Sequence, residues 1–174
     1  MRKLTAAFVL LVLWETDAAG ASSIEAPGTV LAIAVPASAL VAAAFHKDGK
    51  GALQFAEAYV STMALVYILK PTINRTRPNG GGESFPSGHS ASAFAGAAFL
   101  QRRYGWEYGA PAYTAAAFVA FSRVQAKKHW TTDVLAGGAI GVATNFIFTR
   151  KFKKVAVTPI LEPHTVGITL DARW

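Results

Sequence analysis

The chain has 174 residues, 52% of them hydrophobic and 16% charged, with a formal net charge of +7 and no cysteine. That length suits one domain, and the apolar content excludes a disordered chain. The absence of cysteine excludes a disulfide scaffold and a thiolate metal site, while the positive charge leaves nucleic acid, anionic lipid or a phosphorylated substrate as partner classes.

The N-terminus reads as a targeting signal. Arg2 and Lys3 precede the apolar run Leu4 to Trp14, and Ala19-Gly20-Ala21 supplies a small-x-small cleavage site. The run is about half the ~20 residues needed to cross a bilayer. Residues 1–21 are therefore expected to be a signal peptide. Their removal takes away two basic and two acidic side chains, so the charge of +7 belongs to the mature domain. Export is expected to end in the periplasm, or in the membrane with the site facing the periplasm.

Five apolar, Ala-rich stretches follow: Thr29–Phe45, Gly51–Leu69, Ser87–Tyr104, Pro111–Val124 and Thr131–Phe148. Each reads as a helix, because turn chemistry separates them at Lys47 to Gly51, Pro78 to Gly82 and Gly105 to Gly109. Pro36 is expected to kink the first. Small residues such as Ala95, Ala97, Ala98, Ala139 and Gly141 permit close helix approach. The Gly80-Gly81-Gly82 run is a mobile loop and not a phosphate loop, since no Gly-Lys-Ser/Thr follows. Charges near most of the apolar stretches favour a compact exported bundle, associated with the membrane, over a set of full spans. After Lys154 the period changes to two, with Val155 and Val157 before the turn Glu162-Pro163-His164 and Val166, Ile168 and Leu170 after it, which reads as a β-hairpin. The expected architecture is all-α, a bundle of about five core helices over residues 22–150 with a C-terminal β-hairpin over 151–174.

Three segments hold what a phosphate site needs. The first runs from Lys70 to Arg77-Pro78, the second is Pro86-Ser87-Gly88-His89, and the third holds Ser122-Arg123, His129 and Asp133. Each has an ordinary structural reading alone: a basic helix end, a helix cap, a local pair at i,i+4. Together they fit a phosphoester. Lys70, Arg77 and Arg123 supply fixed cations, and an arginine can grip two oxygens at once. Ser87 and Gly88 would present backbone N–H groups at a helix N-terminus. Two histidines from different segments meet the need for a nucleophile and a proton donor. Asp133, one helical turn past His129, is placed to accept the imidazole Nδ1 proton.

The spacing carries a resemblance. Lys70, six residues, Arg77-Pro78, then Pro86-Ser87-Gly88-His89, then Ser122-Arg123, five residues, His129, three residues and Asp133 resembles the three-part signature of the type 2 phosphatidic acid phosphatase superfamily. That superfamily includes bacterial acid phosphatases, lipid phosphatases and vanadium-dependent haloperoxidases. Only seven residues separate Pro78 from Pro86, a short connection for the family that implies a small lid over the site.

The resemblance implies a helix-bundle fold and a metal-independent phosphatase acting on a phosphomonoester or diphosphate, either a phosphorylated lipid or a small phosphoester. His129 would form a phosphohistidine, with Asp133 orienting and charging it. His89 would protonate the leaving oxygen and then activate water. Lys70, Arg77 and Arg123 would hold the phosphoryl oxygens, with Ser87 and Gly88 assisting. No cofactor and no metal are implied, and vanadate enters as an inhibitor. Arg75, Lys127 and Lys128 lie outside the signature and are expected to form a basic rim for an anionic substrate.

A vanadate-dependent peroxidase would use the same residues with vanadate as cofactor, but the chain is short for one. A catalytically silent membrane or interaction protein would have lost a catalytic side chain, and none is lost. The sequence shows no nucleic-acid module, so nucleic acid is not an expected partner.

Overall fold

The computed structural model describes residues 24–152 in full, and the backbone alone of 154–162 and 165–173. Five helices form the bundle among the described residues: α1 Glu25–Phe45, α2 Gly49–Ile73, α3 Gly88–Tyr104, α4 Trp106–Gln125 and α5 Thr131–Phe148. Beyond Phe152 the backbone follows two antiparallel strands, β1 Lys154–Glu162 and β2 Thr165–Arg173, with Lys154 opposite Arg173 and Glu162 opposite Thr165. The expected signal peptide lies outside the described residues.

The helix ends show why these boundaries hold. Asp48 caps α2 by accepting from the Gly51 N–H at 2.9 Å, and Asn74 closes it in the left-handed conformation at φ 43°. Ser87 caps α3. The expected turn from Gly105 to Gly109 shrinks to one residue. Gly105, at φ 101°, reverses the chain alone, and α4 begins at Trp106, five residues before Pro111. Gly109 then lies inside α4, where a Cβ would stand 2.4 Å from Gln101 Cβ. α1 begins four residues earlier than the apolar pattern suggests, since Pro27 is tolerated in a first turn whose N–H groups have no helical partner.

α1 runs unbroken through Pro36. Proline has no N–H to donate to the Ala32 carbonyl, one turn back. The Ser92 hydroxyl of α3 donates to that carbonyl instead, at 2.8 Å. Ser92 Oγ has only one hydrogen to give, so the Tyr59 hydroxyl of α2, 2.8 Å away, donates to it. A polar thread therefore joins three helices inside the core.

α3 is the central helix, packed against all four others. Its small residues make that possible. A Cβ on Gly96 would stand 2.7 Å from the Pro36 nitrogen, and a Cβ on Gly141 of α5 would stand 2.5 Å from the Ala91 carbonyl oxygen. Ala95, Ala97 and Ala98 are buried, whereas Ala139 faces outward. Phe55, Tyr59, Phe99 and Val119 fill the remaining core.

The outer surface is the reverse of a water-soluble bundle. Val30, Val41, Leu53, Val60, Ile68, Leu135 and Phe146 are exposed, as are Phe45 at 80% and Ile147 at 74%. α1, α2 and α5 are each long and apolar enough to cross a membrane. Of the charges that argued against full spans, Lys70, Arg102, Arg103 and Arg123 sit near helix ends with hydrogen-bond partners, whereas Glu57 is exposed within α2.

Candidate active site

α1 and α3 begin, and α2 and α4 end, at one end of the bundle, where the loop from Asn74 to Ser87 and the bend from Ala126 to Trp130 meet. Asn79 N–H donates to the Lys127 carbonyl, and Ser87 N–H donates to the Asp133 carbonyl at 3.0 Å. The second contact sets the start of α3 beside the start of α5. It depends on Gly137, because a Cβ there would stand 2.3 Å from the Ser87 carbonyl oxygen.

This framework gathers residues from all three sequence segments. Lys70 is buried near the end of α2, and its Nζ donates to the Glu83 carbonyl at 3.1 Å. His89 lies buried in the first turn of α3. Arg123 is buried near the end of α4, and its own carbonyl accepts from the backbone N–H groups of Lys128 and His129. Arg77 is half-buried in the loop, with Nε donating to the Gly82 carbonyl at 3.0 Å. The triple-glycine run is thus hydrogen-bonded to Arg77 on both sides, since Arg77 N–H also donates to the Gly81 carbonyl.

His129 departs from expectation. It sits in the bend before α5, which begins at Thr131, so the helix-face relation with Asp133 does not apply. Its Nδ1 lies 2.7 Å from the Ser84 carbonyl oxygen and 3.8 Å from Asp133 Oδ2. A carbonyl only accepts, so Nδ1 carries the proton and the neutral ring has its lone pair on Nε2. The expected Asp133 hydrogen bond is taken by Ser84.

Asp133 is fully buried and its oxygens are committed elsewhere. Oδ2 accepts from Ser84 Oγ at 2.5 Å and from Trp130 N–H at 2.9 Å, while Oδ1 accepts from Arg75 Nη1 at 2.9 Å. Arg75 is therefore not a solvated rim residue. It pairs with Asp133, donates to Thr132 Oγ1 at 2.6 Å and lies over the Trp130 ring. Lys128 leaves the expected rim too, pairing with Glu25 at 3.5 Å, and only Lys127 stays exposed.

Sequence reasoning missed Ser84 and Glu25. Ser84 acts largely through its backbone. Glu25 acts through its carbonyl, which accepts from Arg123 Nη2 at 2.5 Å. The nearby Gly28 admits Ser122 and Arg123, whose side chains a Cβ would overlap. No spacing rule marks a carbonyl; the small residue at position 28 is the trace that a sequence carries.

The model of the PAP2 superfamily matches residues 79–156, which include the second and third segments but not Lys70 to Pro78. A lipid A 1-phosphatase of Porphyromonas gingivalis is 42% identical over 78 residues, which are 42% of this chain and 17% of that protein. The chain thus spans only 17% of the length of this curated relative. The crystal structure of Aquifex aeolicus LpxE resembles the chain with a TM-score of 0.62 at 22% identity, covering 82% of this chain and 92% of its own. A transmembrane PAP2-type phosphatidylglycerolphosphate phosphatase from Bacillus subtilis resembles it with a TM-score of 0.52 at 23% identity, over 83% and 92%. These two structures share the helical fold. The family match spans His89, Arg123, His129 and Asp133, so that residues 79–156, a little under half of the chain, are similar to the PAP2 superfamily.

Proposed function

We propose that the protein is a metal-independent phosphatase of a membrane-held lipid phosphate, working through a phosphohistidine. The observation that carries this is His129, whose Nδ1 proton rests on the Ser84 carbonyl, so that Nε2 bears the lone pair. The cations Lys70 and Arg123 are buried near the ends of α2 and α4, at the same end of the bundle. In the first step Nε2 bonds to phosphorus as the bond to the leaving oxygen breaks, and His89 gives that oxygen a proton. In the second step His89 takes a proton from water, water oxygen bonds to phosphorus, and the phosphorus–nitrogen bond breaks. Lys70, Arg77 and Arg123 hold the phosphoryl oxygens. Gly88 assists with its backbone N–H at the start of α3, where the helix dipole favours an anion. Ser87, whose own N–H is taken by the Asp133 carbonyl contrary to expectation, assists through its hydroxyl. A fixed donor of this kind contributes about 3 kcal/mol to the transition state.

A lipid substrate is supported by the surface beside the site. An apolar groove of about 560 Å³ is lined by Phe94, Val134, Leu135, Gly138, Val142 and Phe146. It begins one residue beyond Asp133 and runs down α5, the course an acyl chain would follow from a headgroup at the site. The names of the Porphyromonas and Bacillus relatives point to lipid phosphates as well. The exposed apolar faces of α1, α2 and α5 suit burial in a bilayer.

Residues 1–21 would direct export, with residues 22–150 forming the membrane-embedded bundle and the site facing the periplasm. N-terminal sequencing of the mature protein should then begin near Ser22, and an intact Met1 on cytosolic protein would overturn the export.

The decisive test is phosphate release by purified protein. Long-chain lipid phosphates in detergent should be hydrolysed faster than short water-soluble esters. Equal rates would remove the lipid preference, and release undiminished by His129→Ala would remove the mechanism.

A further inference from the structure

Two residues outside the recognised signature close a ring behind the nucleophile. The Arg75 carbonyl accepts from Ser84 N–H at 2.7 Å. The Ser84 carbonyl accepts from His129 Nδ1 at 2.7 Å, and the Ser84 hydroxyl donates to Asp133 Oδ2 at 2.5 Å. Asp133 Oδ1 accepts from Arg75 Nη1 at 2.9 Å, which returns to the starting residue. Arg75 is tied further to Thr132 and to the Trp130 ring, and Trp130 Nε1 donates to the Thr76 carbonyl.

We infer that Arg75 and Ser84 are positioning residues for the nucleophile: Ser84 fixes the His129 tautomer with its carbonyl, and Arg75 holds Ser84 in place while neutralising Asp133. This rests on the phosphatase reading above. A bare carboxylate 3.8 Å from Nδ1 would favour the protonated imidazole, which cannot attack. Pairing Asp133 with Arg75 weakens that pull and leaves the carboxylate free to serve as an anchor. Division of labour follows. The carbonyl chooses the tautomer, the carboxylate braces the loop, and the guanidinium keeps the carboxylate from charging the ring. The other ionisable groups of the site are Lys70 on α2, Arg77 and Glu83 on the loop, His89 on α3, Arg123 on α4, Lys128 on the bend and Glu25 on α1, and all stay in place in the variants below.

The test compares Arg75→Gln and Arg75→Lys by the pH dependence of phosphate release. Arg75→Gln removes the charge, so the acidic limb of kcat/KM should move up by about one pH unit. Loss of the brace should lower kcat about 100-fold while KM changes little. Arg75→Lys keeps the charge but lacks the planar guanidinium that lies over the Trp130 ring, so it is held less firmly beside Asp133 and Thr132. Its acidic limb should stay in place while kcat falls. An unmoved limb with normal kcat in Arg75→Gln, or an equal shift in both variants, would overturn the inference. If Arg75→Gln does not fold, a normal kcat in Arg75→Lys does the same. Nitrogen NMR shifts of the His129 ring in the unmodified protein decide independently of any variant. The proton should be on Nδ1, and a neutral ring protonated on Nε2 sinks the proposal. If the unmodified protein releases no phosphate, or His129→Ala still does, the phosphatase reading itself has failed; a dead His129→Ala beside an unaffected Arg75→Gln condemns this inference alone.

Discussion

Arg103 meets Asp48 through both carboxylate oxygens, Nε on Oδ2 and Nη2 on Oδ1, each at 2.6 Å. Both side chains are buried at the end of the bundle where α1 and α3 finish and α2 starts, opposite the candidate site. Asp48 also caps α2 and accepts from the Tyr104 hydroxyl, and Arg103 Nη1 donates to the Arg150 carbonyl. One ion pair thus joins the α1–α2 turn, the end of α3 and the segment after α5. Asp48→Asn should destabilise the fold by about 3–5 kcal/mol, because it leaves the Arg103 charge buried without its counter-ion. Chemical denaturation in detergent checks this, and an unchanged midpoint would show the pair to be dispensable.

The same pair predicts how stability changes with acid. Burial pushes the Asp48 carboxyl up, but hydrogen bonds from Arg103, the Gly51 N–H and Tyr104, with the Arg103 charge, outweigh it and hold the group below the usual carboxylate range. A depressed folded value stabilises the protein above the unfolded value of about 3.9. That contribution is lost as pH falls through the folded value. Melting temperature should therefore drop below about pH 4, and Asp48→Asn should flatten that part of the curve. A variant with the same acid slope would assign the loss to other carboxylates.

His129→Ala should reduce turnover by several orders of magnitude without unfolding the bundle. Asp133→Asn should cost less but still substantially, through the loop it braces. His89→Ala should hurt alkyl phosphates more than nitrophenyl phosphate, whose leaving group needs little protonation. Equal losses on both substrates would remove His89 from the role of general acid. The two histidines need opposite protonation states, so kcat/KM should follow a bell-shaped profile with an optimum on the acidic to neutral side.

Orthovanadate adopts the trigonal-bipyramidal geometry of phosphoryl transfer and should inhibit competitively with substrate. EDTA should leave the rate unchanged, since Lys70, Arg77 and Arg123 are proposed to balance the phosphoryl charge. Activity lost to the chelator and restored by a divalent ion would overturn the metal-free mechanism.

Gly137→Ala tests how tightly the site depends on helix approach. The added methyl would meet the Ser87 carbonyl oxygen at 2.3 Å, so the start of α3 must move away from α5. A displacement near 1 Å costs about 100-fold in rate. Kinetics of the variant at wild-type helicity read this directly, and an unaffected kcat would show that the His89 end of α3 tolerates the shift.

Much of this was legible in the sequence. Apolar runs broken by Lys47 to Gly51 and by Pro78 to Gly82 marked the helices, because both breaks hold residues that a helix rejects or caps. The spacing from Lys70 to Asp133 marked the candidate site. What stayed hidden depends on closure in three dimensions. The His129–Asp133 interval looked like one helical turn, yet α5 starts only at Thr131 and the interval bends. Arg75 looked like surface charge because its partner lies 58 residues away. Ser84 and Glu25 contribute carbonyls, which every residue has and no composition reveals.

The proline in α1 ties residues on two helices into a common evolutionary fate. With Pro36 present, the Ala32 carbonyl relies on the Ser92 hydroxyl, which in turn receives from Tyr59. Pro36→Ala would return a backbone N–H to Ala32, and the hydroxyl at position 92 would become redundant for that carbonyl. Ser92→Ala should therefore cost less in a Pro36→Ala background than in the native chain, a positive coupling in a double-mutant cycle. Loss of the hydroxyl at position 92 is thus tolerated best after position 36 has changed, whereas position 36 is free to change first.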